Sequence, residues 1–260
     1  MYETHWKLES KPFENTPDAR FFWLSPEHSE ALDRLSHLLR ERKGAGMLTG
    51  EYGCGKTTMV EVLDERLDLG QHRVAYLDYP RLKPGELLGE ILRQFGEDPD
   101  GDNVSRMHRL GEMFFHTALD GAHSIVIVDE AQIIPDDMTL EELRLLLNFQ
   151  LENEHLVTLL LIGEPELRER VIRLPALDRK IAVRYHLQAF DLDQTGSYVA
   201  YRMERAGAET EVFTPDAVEA IYEKSHGTPR EINSVCDMCL FVGARKGLEK
   251  IDGSAVRKVA

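Results

Sequence analysis

Eight consecutive residues match the phosphate-binding pattern GxxxxGK(S/T): Gly50, Glu51, Tyr52, Gly53, Cys54, Gly55, Lys56 and Thr57. Glycines allow successive backbone N–H groups to wrap around a phosphate, and Lys56 supplies a point charge for the outer phosphate oxygens. The Thr57 hydroxyl is a predicted ligand of Mg²⁺, and the adjacent Thr58 is also expected to lie near the phosphates. The segment is therefore predicted to bind a phosphorylated ligand.

Two acidic residues at the end of an apolar run are the expected partners of this loop. Residues 125–128 are apolar, and Asp129 and Glu130 follow directly. Asp129 is the predicted Mg²⁺ ligand, directly or through water, and Glu130 is the predicted base for an attacking water molecule. Each motif has a plainer interpretation, because glycines also form turns and acids often end buried strands. Together they favour a site that binds ATP with Mg²⁺ and hydrolyses it.

The elements around these motifs alternate between strand and helix. Strands are predicted over 46–49, 73–79, 124–129, 156–163 and 181–187. Helices are predicted from Ser25 onward and over 57–69, 84–95, 103–119 and 140–152. This alternation, with strands that are apolar throughout, indicates a mostly parallel sheet sandwiched by helices. The order of strand, phosphate loop and helix also places the first amides of a helix at the phosphate.

After residue 190 the strand-like segments stop. Helices are predicted over 193–206, 215–225 and 229–246, followed by a short helix that begins near 252. We therefore expect two domains: residues 1–189 form an α/β nucleotide-binding core that includes the aromatic-rich N-terminal segment, and residues 190–260 form a small all-helical domain.

The composition is that of a globular protein with an acidic surface. The 260 residues carry a formal net charge of −15, and acidic residues outnumber basic ones in both halves of the chain. An extensive basic footprint for nucleic acid is therefore not expected. No apolar run approaches the ~20 residues that span a bilayer, and the N-terminus lacks the pattern of a secretory signal. These features predict a cytoplasmic chain.

The three cysteines do not form a recognisable metal motif. Cys236 and Cys239 are a single Cys-x-x-Cys pair on a predicted helix, which favours two buried thiols over a zinc site. Cys54 differs because it lies inside the phosphate loop, where amide dipoles could lower its pKa. Redox sensitivity of Cys54 is a hypothesis that labelling with iodoacetamide, with and without ATP, would test.

The chain resembles the AAA+ ATPases, and within them the general secretion pathway ATPase A family and its relatives in pilus biogenesis and transposition. The phosphate loop is the diagnostic segment, and the order and spacing of the others support the same branch. These other segments are Lys11-Pro12-Phe13, Leu24-Ser25-Pro26, Asp129-Glu130-Ala131-Gln132, Leu143-Arg144-Leu145-Leu146, Gly163-Glu164-Pro165-Glu166-Leu167, Arg184-Tyr185-His186-Leu187 and Gly227-Thr228-Pro229-Arg230. The resemblance implies a P-loop NTPase core of the AAA+ type with a C-terminal helical lid.

The resemblance also implies roles for residues outside the two motifs. Glu164 matches a position beside the γ-phosphate where the family usually has glutamine, so its carboxylate either points at the attacking water or weakens hydrolysis. Arg230 matches the lid arginine that reaches the γ-phosphate, although a surface charge at a helix start is the plainer interpretation. A neighbouring subunit usually contributes an arginine finger. Arg179 is the first candidate and Arg184 the second, and Lys180 stands where arginine is usual.

Aromatic residues near the N-terminus and in the loop have open roles. The aromatic residues expected to pack onto the core, with a contact to adenine as the alternative, are Trp6, Phe13, Phe21, Phe22 and Trp23. Tyr52 could contact the base, a partner subunit or neither.

Three functions share this predicted ATP site. The first is an assembly ATPase that self-associates, as a homo-oligomer or nucleotide-dependent ring, and acts on a membrane-associated secretion or pilus partner. In that case the chain is cytoplasmic or the cytoplasmic part of a longer membrane-anchored protein. The second is a transposition-type regulator on DNA, which the acidic charge disfavours. The third is a nucleotide-gated binding module with little turnover, motivated by Glu164 and Lys180.

Overall fold

A computed structural model describes residues 2–16, 18–66, 71–152 and 154–259. Its strands are β1 (Ala45–Gly50), β2 (His72–Leu77), β3 (His123–Val128), β4 (Gln150–Leu151), β5 (Glu154–His155), β6 (Val157–Gly163) and β7 (Ile181–Leu187). Its helices are α1 (Glu3–Trp6), α2 (Pro26–Arg40), α3 (Lys56–Arg66), α4 (Pro84–Gln94), α5 (Asn103–Leu119), α6 (Asp137–Leu146), α7 (Pro165–Ile172), α8 (Pro175–Asp178), α9 (Leu192–Arg205), α10 (Pro215–Ser225), α11 (Pro229–Lys246) and α12 (Gly253–Lys258).

The chain packs into two compact units. The α/β unit comprises His28–Glu51 and Met59–Leu187. The helical unit comprises Met1–Glu27, Tyr52–Thr58 and Gln188–Ala260. No helix in the described part of the chain is long and apolar enough to cross a lipid bilayer.

Five parallel strands in the order β2-β3-β6-β1-β7 form the sheet of the α/β unit. Every residue of β1, β3 and β6 is buried, as expected for strands covered on both faces. The predicted mostly parallel sheet is therefore confirmed. Because all five strands run in the same direction, their carboxyl ends share one edge, where α/β proteins bind ligands.

Helices α4, α5 and α6 bury one apolar face each in the α/β unit. Asp102 caps α5 by accepting a hydrogen bond from the Ser105 N–H at 2.8 Å. The apolar side chains that these helices contribute to the core include Leu87, Leu88, Ile91, Leu110, Phe114, Leu140 and Leu143. Their burial explains why the segments form helices, since amphipathic spacing alone stabilises a short helix only weakly.

The helix predicted over 140–152 is wrong at both ends. It begins at Asp137 because the preceding Asp136 accepts a hydrogen bond from the Thr139 N–H at 2.8 Å. It ends at Leu146, and the following residues form the short antiparallel pair β4 and β5, with Glu152 at a φ of +56°. A strand of two residues is too short to show an alternating apolar pattern. The spacing of apolar residues therefore predicted a helix that is too long at its carboxyl end. The predicted helix over 57–69 begins at Lys56, and residues 67–70 lie outside the described residues.

The helical unit has its own core. Helices α9, α10 and α11 agree with the predicted segments to within one residue. Trp6, Phe13 and Phe21 from the N-terminal segment are buried in this core, and the Trp6 indole donates to the Leu240 carbonyl at 2.9 Å. These aromatic residues therefore pack within the helical unit.

The predicted division between residues 189 and 190 stays a prediction. The last segment of the α/β unit ends at Leu187, and the last segment of the helical unit begins at Gln188. The segment Met1–Glu27 belongs to the helical unit, because its aromatic side chains are buried among apolar side chains of α9 and α11.

Candidate functional site

The phosphate loop connects β1 to α3, as the sequence predicts. Gly53 and Gly55 have φ of +83° and +88°, values that disfavour residues with a side chain. A Cβ at Gly50 would lie 2.9 Å from the Leu187 carbonyl oxygen. Lys56 is the first residue of α3 and is 5% exposed. The glycines are thus required by the backbone, and the loop leads directly to the amino end of a helix, an arrangement suited to an anion.

Within the helical unit, the loop contacts the start of α11. The Arg230 N–H donates to the Gly53 carbonyl at 3.3 Å. A Cβ at Gly53 would lie 2.8 Å from the Arg230 Cβ and 3.2 Å from the Thr228 Cγ2. The Arg230 guanidinium lies over the Tyr52 ring, with Cζ 4.7 Å from the ring centroid. The structure therefore brings together Arg230 and the loop, two features that the sequence linked only through a family resemblance.

Asp129 follows β3 in the α/β unit and is almost completely buried. Its Oδ1 accepts a hydrogen bond from the Glu130 N–H at 2.8 Å, and its Oδ2 accepts one from the Tyr76 hydroxyl at 3.0 Å. Burial, and then the negative charge of Asp129, raises the pKa of Tyr76 above its ordinary value. Tyr76 therefore remains a proton donor that fixes one carboxylate oxygen of Asp129.

Glu130 has an unusual backbone conformation and a fixed side chain. Its φ is +50°, in the left-handed region that a residue with a side chain rarely adopts. Its Oε2 accepts a hydrogen bond from the Gln132 Nε2 at 2.6 Å. Such outliers concentrate at functional sites, where surrounding contacts hold them. This geometry is consistent with the predicted role of Glu130 as a base.

Gln132 joins the end of β3 to the end of β6. Its Oε1 accepts a hydrogen bond from the Glu164 N–H at 3.1 Å, while its Nε2 donates to Glu130. A Cβ at Gly163 would lie 2.5 Å from the Gln132 Oε1, so glycine leaves room for this amide. Glu164 thus contacts Gln132 through its backbone N–H, and it is the N-cap residue of α7, which begins at Pro165.

Arg170 of α7 holds the segment after Glu130 in place. Its guanidinium donates to the carbonyls of Gln132 at 3.1 Å and Ile134 at 2.5 Å, and to the Asp137 carboxylate at 3.1 Å. Sequence reasoning missed the roles of Gln132 and Arg170. Gln132 was visible only as part of the Asp-Glu-Ala-Gln segment, and Arg170 belonged to an arginine-rich stretch without further signal.

The strand order places the ends of β1, β3 and β6 side by side. β6 lies between the other two. Gly50 is the last residue of β1, and Asp129 and Glu164 directly follow β3 and β6, so all three lie at neighbouring carboxyl ends of the sheet. The buried carboxylate of Asp129 and the hydroxyl of Thr57 are oxygen donors of the kind that Mg²⁺ prefers. Each of these donors therefore suits Mg²⁺, and the glycine-rich loop with Lys56 suits the phosphates of a nucleotide.

The two candidate arginine fingers differ in their surroundings. Arg184 of β7 donates to the Asp178 carboxylate at 2.8 Å and to the Ile181 carbonyl at 3.0 Å. Arg179 follows α8, is exposed, and has no side-chain hydrogen bond or ion pair with the described residues. Arg179 is therefore the better candidate for an action in another subunit.

All three cysteines are buried. Burial raises the pKa of the Cys239 thiol to about 11, and the pKa of Cys236 is also raised by burial. Both thiols are therefore protonated and inert at neutral pH. Cys54 is 1% exposed, which does not favour the rapid labelling that its hypothetical redox role requires.

Comparison with known proteins gives the family of the chain and solved structures with a similar fold. A family model described as an AAA domain matches residues 39–171. The chain is 34% identical over 262 residues to the general secretion pathway protein A of Aeromonas hydrophila, and the match covers 96% of this chain and 46% of that protein. The chain thus spans about half the length of this curated relative.

Solved structures with a similar fold come from origin recognition proteins. The ORC2 protein of Aeropyrum pernix, in ADPNP and ADP complexes, has a TM-score of 0.70 and 19% identity, covering 96% of this chain and 70% of that one. Drosophila ORC bound to DNA has a TM-score of 0.73 and 16% identity, covering 99% of this chain and 64% of that one. At these identities the likeness concerns the fold alone. Since the family model spans just over half of the chain and includes β1, β3 and β6, the chain belongs to the AAA domain family, with an AAA+ P-loop core.

Proposed function

We propose that this chain binds ATP with Mg²⁺ and hydrolyses it at the sheet edge where β1, β3 and β6 end. The observation that carries the proposal is the fixed carboxylate of Glu130, held by Gln132 beside the buried Asp129 at this edge. The glycine-rich loop that follows β1 supplies the complementary phosphate-binding groups. Membership of the AAA domain family supports the same activity.

In this proposal each residue has a separate task. The loop amides and Lys56 bind phosphate oxygens, and Thr57 and Asp129 hold Mg²⁺, which neutralises charge on those oxygens when bound. Glu130 orients the attacking water and accepts its proton on a carboxylate oxygen. Gln132 keeps that carboxylate in place, and its amide leaves one carboxylate oxygen available. Arg230 supplies positive charge near the γ-phosphate.

The biological role that we propose is assembly of a secretion or pilus complex. It rests on the similarity to general secretion pathway protein A over nearly the whole of this chain. Nucleotide-driven closure of the helical lid and self-association would transmit ATP hydrolysis to a membrane-associated partner. Arg179, exposed and without a described side-chain partner, would complete the site of a neighbouring copy. The chain would then act in the cytoplasm, alone or as part of a longer membrane-anchored protein.

Two other functions remain as alternatives. A DNA-associated regulator is suggested by the fold likeness to an origin recognition complex that was solved on DNA, but a net charge of −15 disfavours it. A nucleotide-gated binding module with little turnover is suggested by Glu164 and Lys180, which replace the residues usual in the resembling family.

ATP turnover over a series of protein concentrations distinguishes these functions. We expect a rate per subunit that rises with concentration and does not respond to duplex DNA at low salt, because neighbouring copies complete each other's sites. Stimulation by DNA would favour the regulator. Tight ATP binding with negligible turnover at every concentration would favour the binding module.

A further inference from the structure

We propose that Tyr52 is a positioning residue that holds the Arg230 side chain ready for the γ-phosphate. This inference rests on the proposed ATP site and adds a residue that determines the preference for ATP over ADP. Both residues belong to the helical unit, and Tyr52 lies in the phosphate loop itself. The sequence alone left the role of Tyr52 open between a base contact, a subunit contact and no contact.

Three contacts fix Arg230 relative to the loop. Its N–H donates to the Gly53 carbonyl at 3.3 Å, and its Cβ occupies the space that a side chain at Gly53 would need. Its Cζ lies 4.7 Å from the Tyr52 ring centroid, within the range of a cation–π interaction. The contacts with Gly53 fix the Cα and Cβ of Arg230, and the ring of Tyr52 fixes the position of its guanidinium.

The charge of Arg230 has no carboxylate partner in the described part of the chain. No described acidic side chain lies within ion-pair distance of its guanidinium, and the charged end of Arg230 contacts the ring of Tyr52. A guanidinium that rests on an aromatic ring keeps its N–H groups free to donate. The contact therefore positions the cation without using the donors that a phosphate requires.

The start of α11 is itself anchored. The Ser234 hydroxyl donates to the Arg230 carbonyl at 3.0 Å and accepts from the Asn15 amide at 3.2 Å. Asn15 also accepts from the Asn233 amide at 3.0 Å, and Asn233 in turn accepts from the Tyr198 hydroxyl at 2.9 Å. Since the helix start is held by this network, Tyr52 has only the flexible side chain of Arg230 to restrict.

The physical effect of Tyr52 is a smaller loss of side-chain freedom when Arg230 engages the γ-phosphate. A long arginine side chain has many rotamers, and a ligand that selects one of them binds more weakly than it would to a restricted side chain. ADP lacks the γ-phosphate, so its affinity does not depend on this restriction. Tyr52 should therefore raise the affinity for ATP and leave the affinity for ADP unchanged.

Calorimetric titration of ATP and ADP into single and double variants tests this inference. Tyr52→Leu removes the ring and retains an apolar side chain, and we expect the ratio of ADP to ATP dissociation constants to fall about fivefold, the size of an exposed cation–π interaction. Tyr52→Phe keeps the ring and should lie within about twofold of the wild type. Because Tyr52 is 57% exposed, neither change threatens folding.

The Arg230→Ala background separates positioning from a general effect on the loop. In this background, Tyr52→Leu should cause no further loss of ATP affinity, because Tyr52 affects ATP affinity only by positioning Arg230. An equal loss in both backgrounds, or an unchanged ratio in Tyr52→Leu, would overturn the inference while leaving the ATP site intact. A wild-type protein that binds no ATP would overturn both the inference and the proposed function.

A nucleotide-free measurement tests the contact directly. The Arg230 side-chain N–H resonance, assigned by its loss in Arg230→Lys, should be shifted upfield by the ring current of Tyr52. We expect the shift to disappear in Tyr52→Leu and to remain in Tyr52→Phe. A resonance that does not move in Tyr52→Leu would contradict the contact.

Discussion

The orientation of Glu130 depends on the amide of one neighbouring residue. Because the Gln132 Oε1 accepts from the Glu164 N–H, only its NH₂ group can face Glu130. The resulting hydrogen bond has a charged acceptor, the stronger class of hydrogen bond in proteins. The hydrogen bond from Gln132 therefore fixes the orientation of the Glu130 carboxylate, which the left-handed backbone of Glu130 does not fix by itself.

Replacing Gln132 should separate catalysis from binding. In Gln132→Ala, Glu130 loses its donor, and kcat should fall about tenfold to a hundredfold, as expected from loss of a hydrogen bond to a charged group. The ATP dissociation constant should change little, since Gln132 is not among the residues proposed to bind phosphate. Steady-state kinetics with calorimetric titration measures both quantities. An unchanged kcat would show that Gln132 does not position the base.

At the scale of elements, local motifs were predictable and contacts between strand ends were not. The phosphate loop and Asp129-Glu130 were predictable because each depends on residues adjacent in sequence. The bridge from Gln132 to Glu164 depends on β3 and β6 being neighbours, which alternation of strands and helices does not specify. The end of α6 was mispredicted because tertiary packing, and not the run of leucines, decides where the chain turns back.

Pairing of β3 with β6 also places a buried histidine at the amino ends of the strands. His123 Nε2 lies 2.8 Å from the Thr158 Oγ1, and the Thr158 hydroxyl donates to the Lys43 carbonyl at 2.9 Å. The hydroxyl proton is thus used, so a neutral His123 donates its Nε2–H to Thr158. Burial, and then the charge of Arg42, lowers the pKa of His123 to about 3.

This histidine should make the fold sensitive to mild acid. The unfolded chain binds a proton at His123 near pH 6.5, whereas the folded chain binds it only near pH 3, so the free energy of unfolding falls as pH drops between these values. Between pH 7 and pH 5 the expected loss from His123 is about 2 kcal/mol. Urea unfolding at both pH values measures it. The matched variant His123→Gln should lose less stability over this interval, and an equal loss would contradict the assignment.

At the scale of the whole molecule, the proposed arginine finger requires a second copy of the chain. Arg184 is engaged by Asp178 within the α/β unit, whereas Arg179 is exposed and has no described side-chain partner. A cation that stabilises the transition state in another subunit must be accessible, so the surroundings favour Arg179.

Mixing two inactive variants should restore activity if copies share sites. Arg179→Ala should lower kcat by about 10³-fold or more, the usual size of an arginine finger. Arg184→Ala, the matched control, should retain most of the activity. In a mixture of Arg179→Ala with Glu130→Gln, some sites combine an intact Glu130 with an intact Arg179 from the neighbouring copy, so phosphate release should exceed that of either variant alone. A mixture no more active than its components would argue against Arg179 as a finger.

The measurement that tests the central claim most directly is phosphate release by the wild type and Glu130→Gln, with ATP binding determined on the same samples. The account predicts that both proteins bind ATP in the presence of Mg²⁺ and that Glu130→Gln releases phosphate at least ~100-fold more slowly, because its amide cannot accept the proton of the attacking water. Lys56→Ala, the control for the phosphate loop, should bind no ATP. Equal phosphate release by the wild type and Glu130→Gln, or tight ATP binding by Lys56→Ala, would contradict the account.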